Sequence, residues 1–157
     1  MQEITTKQIK NAKKIGIVVA DFNSVVTNAL LKGAVQKLQE SSITSDQILV
    51  VHVPGALELS RIVKKLSDSG LVDGIIALGA VIKGETNHYD YVCKETAAGL
   101  SQVSIQGRVP VMFGVLTTES LAQAIDRAGG KSGNKGTECA SGIIQMLSVE
   151  AQIDSLV

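Results

Sequence analysis

Four stretches of almost uninterrupted apolar residues divide this chain into repeating units. They cover residues 14–20, 47–53, 73–81 and 109–116. Short runs of this kind, bounded by Gly, Pro or polar residues, suit strands better than helices. A strand with one solvated face would alternate apolar and polar residues, whereas a strand covered on both faces does not. The pattern therefore predicts four strands in a sheet that is covered on both faces.

Segments with helical periodicity alternate with these strands. On the first, Leu30, Leu31, Ala34, Val35 and Leu38 recur at the spacing of one helix face. Regular alternation of strand and helix favours parallel pairing with helices on both faces. We therefore expect an α/β fold, a three-layer α/β/α sandwich with a four-stranded parallel sheet, as a single domain over residues 1–157. The predicted helices cover residues 27–39, 57–68, 88–104, 119–128 with Thr118 as the N-cap, and, after a glycine-rich loop at 129–136, a last helix to about 153.

The composition argues against several classes of partner. Lys plus Arg and Asp plus Glu both number 15, so the formal net charge is zero. Nucleic acids and anionic membranes both select a basic surface, so neither is expected to bind. No apolar run approaches the roughly 20 residues that span a bilayer, and the polar start lacks the apolar core of a signal peptide. We therefore expect a cytoplasmic protein. Zero net charge with a mean hydropathy of +0.23 also predicts self-association.

Some potentially reactive residues are expected to be structural. Cys93 and Cys139 lie in predicted helices and match no metal-ligand spacing, so we expect two free thiols and no metal site. His52 lies within a predicted strand and is expected to be a core histidine with its hydrogen bonds satisfied. Residues 1–13 are polar, and we expect an arm that is flexible or pairs with the sheet edge of a neighbouring subunit.

Polar and aromatic residues collect where the predicted strands end. Ligands of an open α/β sheet bind beyond the carboxyl ends of its strands. Four separate loops carry such residues at these ends. This agreement predicts a binding site at one edge of the sheet. The residues are Asp21, Phe22 and Asn23, then 54–58, then 83–88, and then Phe113 with Thr117 and Thr118.

The third of these loops carries the most chemistry. The sequence LGAVIKGETNHYDY, residues 78–91, places Lys83, Glu85, Thr86 and His88 where a helix should begin. The free N–H groups of a helix start, with nearby hydroxyls, bind anions such as phosphate. Histidine titrates near neutral pH and can transfer protons. Together these features predict an enzyme that acts on a small phosphorylated metabolite.

Several of these residues also have a structural interpretation. Phe22 can pack on the first helix or stack on a planar ring. Glu58 can stabilise its helix by placing a negative charge near the positive end of the helix dipole, or it can accept hydrogen bonds from substrate hydroxyls. Arg127 can offset a helix dipole or bind a phosphate with its guanidinium group. Lys135, in a GNKG sequence that lacks the spacing of a nucleotide-binding loop, can be a solvated charge.

Six sequence blocks together resemble the lumazine synthase family, in the order and spacing typical of that family. The resemblance implies a flavodoxin-like fold and the penultimate step of riboflavin synthesis. That step condenses 5-amino-6-(D-ribitylamino)uracil with 3,4-dihydroxy-2-butanone 4-phosphate and releases phosphate and water, with no metal or organic cofactor. The blocks are FN at 22–23, VPGALE at 53–58, LGAVIKGETNHYDYV at 78–92, VPVMFGVLTT at 109–118, QAIDRAG at 123–129 and GNKG at 133–136.

The resemblance also implies a role for each matched residue. Phe22 is implied to stack on the pyrimidine ring and His88 to donate a proton, while Phe113 closes the pocket from a neighbouring subunit. Two residues depart from the family pattern: an aromatic is common in place of Leu57, and proline in place of Ser60. The other implied ligands are Ala56, Leu57 and Glu58 for the pyrimidine substrate, the backbone of Ala80, Val81 and Ile82 for its ring, Glu85, Thr86 and Arg127 for the phosphate, and Lys135 as a weaker candidate.

The resemblance further implies a homopentamer whose active sites lie between subunits. The short connection at 130–136 is typical of members that assemble pentamers into a hollow 60-subunit shell. Riboflavin synthase is a candidate protein partner. Two other functions stay open at this point: an archaeal-type riboflavin synthase, and a flavin or lumazine carrier of the same fold that does no chemistry.

Overall fold

A four-stranded parallel sheet organises the chain. The computed structural model describes residues 1–9 and 13–157. The strands are β1 (Ile15–Ala20), β2 (Ile48–Val53), β3 (Gly74–Ile82) and β4 (Val111–Thr118), in the spatial order β2-β1-β3-β4. Each neighbouring pair is parallel. The predicted α/β class and the four-stranded parallel sheet are confirmed.

Helices cover both faces of this sheet. Helices α1 and α5 pack together against one face, and α2 and α3 against the other. None of the helices in the described residues is long and apolar enough to cross a membrane. The helices are α1 (Ser24–Glu40), α2 (Ala56–Ser69), α3 (His88–Gln106), α4 (Leu121–Asp126) and α5 (Lys135–Asp154), with a 3₁₀ turn at Ser45–Gln47.

The apolar core has two halves, one on each face of the sheet. All six residues of β1 are buried, as expected for a strand between two neighbours. Side chains alternate across a strand, so Ile17 and Val19 pack towards α1 and α5, whereas Val18 and Ala20 pack towards α2 and α3. Burial of apolar surface on both faces is the main force that holds the three layers together.

The edge strands differ from the prediction that all four strands are covered on both faces. Strand β2 has a neighbour on one side, and Leu49 and Val50 remain 40% and 36% exposed. His52 is therefore not a core histidine. It lies on the face opposite Val51 and Val53, half exposed, with Nδ1 2.7 Å from Oδ1 of Asp21. An apolar run does not distinguish a central strand from an edge strand, which is why the sequence misplaced this histidine.

The chain after β4 also differs from the prediction. Thr118 is the last residue of β4, and Ser120 instead caps α4 by accepting a hydrogen bond from the Gln123 N–H at 3.2 Å. The segment expected to be a loop contains a small hairpin, β5 (Ala128–Gly130) and β6 (Gly133–Asn134). Its tight turn needs left-handed backbone at Gly133, where φ is +79°.

Both cysteines are free thiols, as predicted. Cys139 lies in α5, and its burial raises the pKa of the thiol to about 11. A thiol with so high a pKa carries almost no thiolate at neutral pH and is a poor nucleophile. Cys139 therefore acts as a small packing residue in the α1–α5 half of the core.

The closest approach of α5 to α1 generates a stability prediction. A Cβ atom added at Gly136 would lie 2.0 Å from the carbonyl oxygen of Leu30, a backbone atom that moves only if α1 moves. We expect Gly136→Ala to lower the free energy of unfolding by about 2–3 kcal/mol, as overpacking does. Urea denaturation at a fixed protein concentration measures this change.

A glycine in open space provides the matched control. A Cβ atom at Gly84 meets nothing within 4 Å, so Gly84→Ala should change the free energy of unfolding by no more than about 0.5 kcal/mol. Equal stability of the two variants would show that α1 and α5 accommodate the methyl group.

Candidate active site

A cavity of about 390 Å³ opens at the carboxyl edge of the sheet. The loops after β1, β2 and β3 and the first turns of α3 line it. This volume suits a small molecule. Most of the predicted site residues line this cavity together, namely Phe22, Ala56, Leu57, Glu58, Ala80, Val81, Ile82, Thr86 and His88.

A wider groove of about 630 Å³ lies elsewhere, between α2 and α3. Its lining is charged and exposed, and Lys64 is already paired there with Asp68. The groove follows α2 and α3 and holds none of the predicted site residues. The cavity at the carboxyl edge is therefore the candidate active site.

The loop after β1 is bound to the two neighbouring strands. The Asp21 N–H donates to the Val53 carbonyl at 2.8 Å, and the Phe22 N–H donates to the Pro54 carbonyl at 3.1 Å. The Asn23 side chain donates from Nδ2 to the Ala80 carbonyl at 2.8 Å. The Phe22 ring itself is 71% exposed, so its face is free to stack on a ligand in the cavity.

The start of α2 forms the second wall. Gly55 precedes the helix without a side chain to cap it, and Glu58 is the acid of the first turn. An added Cβ at Gly55 would lie 3.0 Å from Oε2 of Glu58, so this carboxylate folds back over the helix start. In this position the negative charge of Glu58 interacts favourably with the helix dipole, and its carboxylate oxygens also face the cavity. Both interpretations of Glu58 are compatible with this geometry.

The third wall is the loop between β3 and α3. Helix α3 begins at His88, and its N-cap, Asn87, makes no side-chain capping bond. The His88 N–H lies 3.4 Å from Oγ1 of Thr86. The dipole of this 19-residue helix attracts an anion at its start, although the Asp90 N–H already donates to the Asn87 carbonyl at 3.1 Å. The loop is held to β4 because the Lys83 N–H donates to the Thr118 carbonyl at 2.9 Å.

Tyr89 also lines the cavity, although the sequence analysis missed it. Removal of its hydroxyl from water, and then the nearby Cys93 thiol, raise the pKa of Tyr89. The hydroxyl therefore stays protonated and can donate a hydrogen bond at neutral pH. An aromatic residue directly after His88, in the first turn of α3, was the signal that could have identified it.

Phe113 lies away from this cavity. It is the third residue of β4, opposite Ala77 of β3, whereas the strand continues to Thr118. The expectation that Phe113 lies near the carboxyl edge is therefore wrong, because β4 begins and ends two residues later than predicted. Its side chain, 42% exposed, lines a separate apolar groove with Leu100 and Ile105.

Three further predicted ligands are also outside the cavity of the single chain. Arg127 follows α4, and its Nη1 donates to the Gln123 carbonyl at 3.1 Å. Lys135 begins α5 and forms an ion pair with Glu138. Glu85 is exposed in the loop before α3 and is absent from the cavity lining. One chain therefore assembles the loops after β1, β2 and β3 and the start of α3 around the cavity, but not the cations that were predicted to bind phosphate.

The donor set of the cavity does not suggest a metal. In residues 1–9 and 13–157, no group of three or more His, Cys, Asp or Glu side chains is arranged to hold a metal ion. The side chains that line the cavity offer one carboxylate, one imidazole, one amide and hydroxyl groups. These groups bind hydroxyls and anions and transfer protons.

Comparison with known proteins agrees with this geometry. The family model described as 6,7-dimethyl-8-ribityllumazine synthase matches residues 12–151. A protein of that name from Levilactobacillus brevis is 56% identical over 156 residues, which is 99% of either chain. Another from Pediococcus pentosaceus is 52% identical over 141 residues, 90% of either chain. The chain therefore belongs to the 6,7-dimethyl-8-ribityllumazine synthase family.

Proposed function

We propose that this protein condenses 5-amino-6-(D-ribitylamino)uracil with 3,4-dihydroxy-2-butanone 4-phosphate to form 6,7-dimethyl-8-ribityllumazine, phosphate and water. The observation that carries the proposal is the single cavity that joins an exposed aromatic ring, a carboxylate and an uncapped helix start carrying a histidine. A bisubstrate condensation that releases phosphate uses each of these groups. Membership of the family supports the same reaction.

The pyrimidine substrate fits the walls formed by the ends of β1 and β3 and the start of α2. Phe22 is proposed to stack on its ring, and Glu58 to accept hydrogen bonds from the ribityl hydroxyls with Ala56 and Leu57 beside it. The backbone groups of residues 80–82 are proposed to bind the edge of the ring. Nothing in this subsite requires a cofactor.

The phosphate of the four-carbon substrate is proposed to bind at the start of α3. The N–H groups there point out of the helix, and Glu85 and Thr86 lie directly before it. The cation that completes this subsite is proposed to be Arg127 of a neighbouring subunit, with Lys135 beside it. A guanidinium group gives a phosphate two parallel hydrogen bonds, which suits both binding and departure of this group.

The proposed reaction needs proton transfer and alignment. An amine of the pyrimidine substrate attacks the ketone, water leaves to form an imine, phosphate is eliminated, and the second amine closes the ring with loss of water. His88, at the start of α3, is proposed to supply and remove protons in these steps. Alignment of two intrinsically reactive substrates supplies much of the remaining acceleration.

The complete site is proposed to lie between subunits of a homopentamer. Phe113, Arg127 and Lys135 lie outside the cavity of their own chain, which supports their supply by a neighbour. Strand β2 ends the sheet and can accept the arm at residues 1–13 of another chain. Residues 10–12 of this arm lie outside the described residues; within a single chain, its residues 1–9 contact α5, where the Lys7 N–H donates to Oγ of Ser148 at 2.8 Å.

The pentamers are further proposed to form a hollow 60-subunit shell in the cytoplasm. The hairpin that joins α4 to α5 is short, because β5 and β6 are separated by two residues. Riboflavin synthase, which consumes the lumazine, is the proposed protein partner. A zero net charge supports close packing of many copies.

Loss of the proposed proton donor gives the first functional prediction. When the two substrates are mixed with the protein, the lumazine should form and can be measured by its absorbance. The His88→Ala substitution should lower kcat about 10–100-fold. The loss is partial because binding and alignment remain. His52→Ala, at the half-exposed edge position, is the matched control and should keep the original rate.

The same assay separates the alternative functions. Ring binding without product formation by the unaltered protein would identify a carrier. Conversion of the lumazine to riboflavin would identify the archaeal-type activity. A His88→Ala protein that is correctly assembled and fully active would exclude the proton-transfer role.

Subunit complementation tests the shared site. Arg127→Ala alone should raise KM for the phosphorylated substrate and leave binding of the pyrimidine substrate intact. Co-expression of Arg127→Ala chains with His88→Ala chains in equal amounts should restore about one quarter of the sites, because random neighbours then form some sites with no defect. If Arg127 serves the cavity of its own chain, every site keeps one defect and no activity returns.

A chain with both substitutions is the control for this mixture. Mixed equally with unaltered chains, it should leave about one quarter of the sites active if sites are shared, and about one half if they are not. The two mixtures together measure whether Arg127 and His88 of one site come from different subunits.

Sedimentation tests the assembly itself. Analytical ultracentrifugation in a buffer with little phosphate should show one large species of shell size and few free pentamers. The net charge of each copy is zero, so repulsion between copies is weak, which favours this state. A species that stays at five subunits would exclude the shell, and a fully active monomer would exclude the shared site.

A further inference from the structure

Within its own chain, the position of the Phe22 ring is not fixed by packing. The ring is 71% exposed, so few protein atoms restrict its rotation or displacement. Stacking nevertheless requires the ring to stand at a defined distance from the opposite wall of the cavity. That wall is the backbone at the end of β3, which includes Ala80. The backbone on either side of Phe22 must therefore fix this distance.

Asn23 makes the direct connection between these two walls. Its Nδ2 donates to the Ala80 carbonyl at 2.8 Å, across 57 residues of sequence. Its own carbonyl accepts from the N–H groups of Val26 and Thr27 at the start of α1. One residue thus joins the loop of Phe22, the first turn of α1 and the end of β3.

The conformation of Asn23 indicates that its side-chain amide has a role other than capping of the helix. An asparagine before a helix ordinarily accepts a hydrogen bond from the first N–H groups. Asn23 makes no such side-chain bond, although it stands at the N-cap of α1. Its backbone is left-handed, with φ at +60°, a region that non-glycine residues seldom adopt. This backbone conformation accompanies a side chain that reaches β3 instead of capping the helix.

We propose that Asn23 is a positioning residue that sets the distance between the Phe22 ring and the backbone of residues 80–82. It acts on the ring of the pyrimidine substrate through Phe22, although Asn23 itself also lines the cavity. The proposal rests on the proposed stacking role of Phe22.

Two substitutions separate the amide from the backbone conformation. Asn23→Gly keeps the left-handed backbone without strain and loses the bond to Ala80. Asn23→Asp keeps the size and shape of the side chain, but a carboxylate cannot donate to a carbonyl. We expect each to weaken binding of the lumazine product about 3–10-fold, the usual worth of one hydrogen bond. KM for the pyrimidine substrate should rise equally, and KM for the phosphorylated substrate should stay the same.

A double-mutant cycle tests whether Asn23 acts through Phe22. Calorimetry measures the Kd of the lumazine product for Asn23→Gly, Phe22→Ala and the protein with both substitutions. If Asn23 positions Phe22, the Asn23 substitution has no further effect once the ring is absent. Asn28→Gly, an exposed position of α1 outside the cavity, is the matched control and should leave the Kd unchanged.

The outcomes distinguish this proposal from the one on which it rests. Weakened binding in Phe22→Ala with unchanged binding in Asn23→Gly would overturn the positioning role alone. If Asn23→Gly weakens binding of the lumazine product equally with and without the Phe22 ring, then Asn23 has a merely structural role. That result would also overturn the positioning role. Unchanged binding in Phe22→Ala would overturn the stacking role, and the positioning role with it.

Discussion

The parallel pairing of β1 with β2 on one side and β3 on the other is the constraint on which the site depends. In this register Val19 lies opposite both His52 and Leu78, so β1 and β2 end side by side at the carboxyl edge and β3 continues beyond them to Ile82. The hydrogen bonds of Asp21 and Phe22 to the end of β2 extend the pairing beyond the strands. Because both faces of β1 are buried, a shift of the register by one residue would move each side chain into the opposite half of the core, where the packing is not complementary to it. Packing of the core therefore fixes the relative positions of the loops that line the cavity.

The same constraint explains how much of the fold the sequence could predict. Strand and helix positions follow from apolar runs and helical spacing, which are local properties of the chain. The order of the strands is not local, and neither is the edge position of β2. His52 was misplaced for that reason: its neighbours in sequence are as apolar as those of a buried residue. The hairpin at 128–134 was missed because its glycines are equally compatible with a loop.

Those parts of the site that follow from local sequence were also predictable, and those that depend on distant residues or on the assembly were not. The rule that ligands bind at strand ends located Phe22, Glu58 and His88 in one cavity. The bond from Asn23 to Ala80 could not be inferred, because it joins residues far apart in sequence through an unusual backbone conformation. The resemblance supplied a role for Arg127 but not the subunit from which it comes, which is a property of the assembly.

Exposed apolar residues of the chain are candidates for the proposed contact between subunits. Leu57, at the cavity, is 49% exposed, and Ile105, in the groove beside Phe113, is 81% exposed. Two such surfaces on one chain form a closed ring if the cavity face of each subunit meets the groove face of the next. Burial of these side chains would then supply free energy for association. The same contact would bring Phe113 to the neighbouring cavity, so that the driving force for assembly and the completion of the site arise from one interface.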